Sequence, residues 1–124
     1  MTGDPPIAVT LENRLMSHGI YVLEVEWDEP RSETDLHLTY EVVTDAPRVT
    51  SDEVGTVVRT VLAIADERGW SPGHLEATSR GTDGSLRGRW RVERDWFDDL
   101  HAELTESEFS RRILETVTTG SVDE

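Results

Sequence analysis

Arg87, Arg89 and Arg91 occupy every second position of the run LRGRWRVE, and in an extended chain that period sets three guanidinium groups side by side on one face. Arginine presents a planar fork of donors that matches phosphate or carboxylate oxygens two at a time. Such a stripe therefore suits phosphates, an acidic peptide or the carboxylates of a partner protein. Glu24 and Glu26, then His37, Thr39 and Glu41, then His74, Glu76 and Thr78 follow the same period in three other runs. Gathered on one sheet face, these carboxylates could also pair across strands with the arginines, the commoner fate of surface charges and worth roughly 0.2–1 kcal/mol per pair.

His37 and His74, with Glu41 or Glu76 nearby, would make a donor set that a divalent metal can use. No HxH or HExxH spacing accompanies them, so neither a metal nor a cofactor is expected. His18 at a helix end and His101 beside Asp98 and Asp99 read as surface residues. Asp98 and Asp99 are adjacent, point different ways around a helix and make a poor acid–base pair. No serine sits at the strand-to-helix turn that a nucleophile elbow requires, and Gly81, Asp83 and Gly84 turn between strands without opening a helix, so no catalytic residue and no phosphate cradle is assigned. Tyr21, Trp27, Tyr40 and Trp90 fall on the inward parity, which leaves the arginine stripe without aromatics on which bases could stack.

The elements that carry these residues are organised around TSDEVGTVVRTVLAIADERGW, residues 50–70. Thr50 and Glu53 have the spacing of a capping box, which starts a helix near Ser51. Val54, Val58, Val61, Leu62 and Ala65, widened by Val57 and Ile64, form its apolar stripe, and Gly69 ends it. A first helix is expected from Asp4, Pro5 and Pro6 as its start, with Ile7, Ala8, Leu11 and Leu15 on one face and Gly19 at its end. IYVLEVEW alternates as a strand with Tyr21, Leu23, Val25 and Trp27 inward, and LHLTYEVV does so with Leu36, Leu38, Tyr40 and Val42 inward. The polar run Asp28 to Asp35 joins them, and Asp45, Ala46 and Pro47 lead to the central helix.

His74 to Arg80 and Leu86 to Glu93 form a second hairpin, with Leu75, Ala77, Leu86, Trp90 and Val92 inward. A shift of 50 residues lays Leu11 on Val61, Gly19 on Gly69, Tyr40 on Trp90 and Val42 on Val92, so the helix-strand-strand unit occurs twice. Asp95 is expected to cap a helix through Trp96, Leu100 and Leu104, and Thr105 with Glu108 makes a second capping box ahead of Phe109, Ile113 and Val117. Trp70, Trp96 and Phe97 read as plugs at the ends of the core or as part of a contact patch. The expected fold is α+β in the order αββαββα, a four-stranded, mostly antiparallel sheet with helices on one face. Residues 1–118 form a single domain and 119–124 a disordered tail.

Acidic residues number 26 against 12 basic, a formal charge of −14; every basic residue is arginine, and lysine and cysteine are absent. Disulfides and thiolate metal sites are thereby excluded. No charged-then-apolar leader and no long apolar run occur, so the cytoplasm is the expected compartment and the membrane is not a partner. The acidic, lysine-free composition and the order of elements resemble the small uncharacterised domain proteins of halophilic archaea, which implies a habitat and a fold but no activity. The helix-strand-strand order also resembles secretion-chaperone-like α+β domains, with one strand fewer in the first half, and this resemblance implies protein binding. The function expected is a non-enzymatic interaction module that binds itself, as a homodimer, or another protein through the open sheet face or an edge strand. The alternatives are nucleic-acid or phosphate binding through Arg87, Arg89 and Arg91, and an uncharacterised enzyme or metal protein.

Overall fold

The computed structural model describes residues 6–29, 34–43, 48–100 and 102–119. Along the chain lie α1 (Ile7–Met16), β1 (Ile20–Trp27), β2 (Leu36–Val42), α2 (Ser51–Arg68), β3 (Leu75–Arg80), β4 (Leu86–Val92), α3 (Arg94–Asp99), α4 (Glu106–Leu114) and β5 (Thr118–Thr119). Both capping boxes form: Thr50 with Glu53 opens α2 and Thr105 with Glu108 opens α4, each side chain accepting the other residue's amide. Gly69 ends α2 in the left-handed region at φ 63°, where its missing Cβ removes the usual steric cost. Asp95 is not the cap of α3; Glu93 holds that position without a side-chain bond, and Asp95 lies in the first turn. Asp4 and Pro5, Asp45 to Pro47 and His101 lie outside the described residues.

The strands are ordered β1-β2-β3-β4-β5. β1 and β2 form one antiparallel hairpin and β3 and β4 another, and the crossover through α2 makes the central pair β2/β3 parallel. Apolar faces of α1, α2 and α4 close over one side of this sheet in a single core. Val57, Val61 and Ile64 of α2 are completely buried, each burial contributing about 1.5–3 kcal/mol before entropic costs. Trp90 Nε1 donates to Tyr40 Oη at 2.8 Å, so two side chains 50 residues apart, at matching positions of the repeated unit, meet in the core. Arg14 grips Glu67 with two nitrogens at 2.6 and 3.0 Å and ties α1 to α2. Trp70, Trp96 and Phe97 pack against the core, Trp70 edge-on to Trp27 and Phe97 against Phe109.

Two β-bulges overturn parts of the expected alternation. In β1, Val22 pairs with Tyr40 and Glu24 with Thr39, leaving Leu23 as the extra residue. Ile20 and Val22 therefore face the core, whereas Tyr21 and Leu23, expected inward, are 41% and 53% exposed. In β4, Leu86 pairs with Arg80 and Gly88 with Ser79, leaving Arg87 as the extra residue. Arg87, expected on the solvent face, turns inward and is 2% exposed, while Leu86, expected inward, takes the outer parity opposite Arg80. Thr118 and Thr119 pair with Arg89 and Gly88 as a fifth, two-residue strand, and residues 120–124 lie outside the described ones.

Candidate functional site

The sheet face away from the helices is open to solvent, and strand register arranges its side chains in three rows. Tyr21, Glu41, Arg80 and Leu86 make the first; Glu24, Thr39, Thr78 and Arg89 the second; Glu26, His37, Glu76 and Arg91 the third. The third row and, from the second, Thr39, Thr78 and Arg89 line much of a shallow concavity of about 500 Å³, walled on one side by Thr116 and Thr118. Three of the four carboxylates gather on β1 and β2 and all three guanidinium groups on β3 and β4, with Glu76 of β3 the exception. Arg89, Glu24, Glu26 and Glu41 make no ion pair with any described residue, and Arg91 turns to Glu93 at 2.7 Å instead of crossing to Glu76. Of the residues singled out from sequence, the face thus brings together Glu24, Glu26, His37, Glu41, Glu76, Arg89 and Arg91.

His74 stands just before β3, at the rim of this face, and the histidines and carboxylates there form a chain. Asp28 Oδ1 lies 2.9 Å from His37 Nε2, and Glu76 bridges His37 Nδ1 at 3.6 Å to His74 Nε2 at 3.2 Å. Glu93 lies 3.6 Å from His74 Nδ1. Glu41 belongs to a different row, and among the described residues no group of three or more His, Asp or Glu side chains is placed to hold a metal ion.

Arg87 instead completes a buried network that the sequence reading missed. Its guanidinium donates to Glu53 Oε1 and to Ser79 Oγ, each at 2.7 Å, and to the Arg48 carbonyl. Glu53 Oε2 accepts from Tyr40 Oη and Ser79 Oγ, both at 2.7 Å, while Oε1 also takes the Thr50 amide at 3.0 Å. Burial pushes the Glu53 carboxyl up, but the Thr50 amide, Ser79, Tyr40 and Arg87 outweigh it and hold the group below the usual carboxylate range. The same burial, and then the Glu53 charge, push the Tyr40 phenol upward. With both oxygens engaged by donors of its own chain, Glu53 serves as a strut between α2 and the sheet. The signal in the sequence was a carboxylate four residues before Val57, on the apolar stripe.

A second, smaller recess of about 260 Å³ lies between α2 and α4, lined by Val54, Val58, Phe109 and Ile113, with Arg59 folded back over Gly55. Among the described residues no helix is long and apolar enough to cross a membrane.

These features define an α+β domain whose helices cover one sheet face and whose charge-segregated second face is open. The chain belongs to the family described as "Domain of unknown function (DUF8159)", whose model matches residues 1–123. No curated protein and no solved structure matches it.

Proposed function

We propose that this domain is a non-enzymatic protein-interaction module whose binding surface is the open sheet face. The observation that supports it is the separation of unpaired charge on that face: Glu24, Glu26 and Glu41 on one side and Arg89 on the other have no ionic partner among the described residues. A complementary protein surface would supply those partners and cover Tyr21 and Leu23. The free edge of β1 is the poorer route, because the bulge at Leu23 interrupts the regular backbone that an added strand needs. The acidic, lysine-free composition supports a salt-accumulating, halophilic archaeal host and a cytoplasmic location.

The test is photo-crosslinking in a salt-accumulating host, with a benzophenone amino acid at Thr39 or Thr78 on the face, or at Ala63 on the exposed side of α2. Protein adducts from the two sheet positions and none from Ala63 are expected. Equal labelling from Ala63, or none from the sheet, would sink the reading. The phosphate-binding alternative retains two of its three arginines, Arg89 and Arg91, and predicts binding to oligonucleotides that falls steeply with salt.

A further inference from the structure

We propose that the partner of the open face is a second copy of this chain, related by a two-fold axis parallel to the strands and lying over the β2/β3 boundary; this rests on reading that face as a protein-binding surface. The carrying observation is that all three rows are antisymmetric about that boundary. An isologous contact with this axis reverses each row against itself, so β1 meets β4 of the other copy and β2 meets β3. In the middle row Glu24 comes over Arg89 and Thr39 over Thr78. In the next, Glu26 comes over Arg91 and His37 over Glu76. In the remaining row Glu41 comes over Arg80, and exposed Tyr21 over Leu86.

Carboxylate thus meets guanidinium or imidazole, hydroxyl meets hydroxyl and apolar meets apolar at every position. The other choice, an axis across the strands, lays β1 on β1 and β4 on β4. With that axis over the middle row, Glu24 would face Glu24 and Arg89 face Arg89, and the outer rows would exchange, setting Tyr21 over Glu26 and Leu86 over Arg91; only Glu41 over His37 and Arg80 over Glu76 would match, so this arrangement is the less complementary one. Overall charge argues the same way. The three rows hold four glutamates against three arginines, whereas the whole chain has 26 acidic residues against 12 basic, so this nearly balanced face lets two chains of charge −14 approach without opposing their full negative excess.

The experiment is sedimentation velocity in molar potassium chloride on the wild type, on Glu24→Arg, on Arg89→Glu and on an equimolar mixture of the two variants, with melting curves to show that each is folded. The wild type is expected to sediment as a dimer. Each variant alone is expected to associate roughly tenfold or more weakly, because every substitution enters the contact twice. The mixture should regain the dimer, since the added arginine of one chain lies over the added glutamate of the other. A monomeric wild type, single variants that stay dimeric, or a mixture that stays monomeric would each overturn the inference. Crosslinking of the face to a different protein would overturn the second copy and leave the interaction reading standing.

Discussion

Glu53 and Arg87 place a full ion pair inside the protein, 4% and 2% exposed, at the point where α2 begins and β4 bulges. Removing one member leaves the other charged, buried and unpaired, so Glu53→Gln is expected to lower stability by about 3–5 kcal/mol at neutral pH, read from chemical denaturation. The pH dependence follows from the lowered Glu53 carboxyl. Folding binds the ionised form, so the contribution is complete above the ordinary carboxylate range and is lost as pH falls through that range toward the folded-state value. The stability gap between wild type and Glu53→Gln should therefore shrink on acidification; a gap constant from neutral pH into the carboxylate range would contradict the ionised strut. The two capping boxes separate local from networked contributions. Thr105→Ala should cost about 1 kcal/mol, the usual loss of a cap, whereas Thr50→Ala should cost more because the glutamate it braces, Glu53, is buried and bonded to Arg87, while Glu108 is exposed.

At the level of elements, β4 and β5 meet only because residue 88 is glycine. A Cβ there would stand 2.3 Å from the Thr118 carbonyl oxygen and 2.8 Å from Val49 Cγ2. Gly88→Ala is expected to push β5 off the sheet, deprotecting the Thr118 and Thr119 region to hydrogen exchange and costing about 1–3 kcal/mol. Helix ends were legible in the sequence because caps are local chemistry: Thr50, Glu53, Thr105, Glu108 and Gly69 act within a few residues of themselves. Strand faces were legible only where alternation is unbroken, as from Leu36 to Val42. A bulge inserts one residue and reverses parity beyond it, and neither Leu23 nor Arg87 announces this in a single chain. Hence Tyr21, Leu23, Leu86 and Arg87 were assigned to the wrong faces, while Glu24, Glu26, Arg89 and Arg91 on the regular stretches stand where alternation put them. The strut between Glu53 and Arg87 joins residues 34 apart whose meeting depends on that second bulge.

The molecule as a whole carries a formal charge of −14, so its surface repels itself wherever ions do not screen it. Raising potassium chloride from 0.1 to 1 M shortens the screening length from about 10 to about 3 Å, and the melting temperature should rise, by about 4 °C for each kcal/mol of repulsion relieved. A melting temperature that falls or stays flat over that range would show that the acidic surface is neutralised in some other way. The edge-to-face pair of Trp27 and Trp70, centroids 5.9 Å apart at 83°, joins the end of the outermost long strand to the connection that follows α2. Indoles this close share their excited states, so the protein carries a built-in optical gauge. The difference in circular dichroism between the wild type and Trp70→Phe separates this pair from Trp90 and Trp96 and reports whether the end of β1 is seated; a difference signal lost ahead of the main transition would reveal that strand end peeling away while the rest of the sheet stays folded.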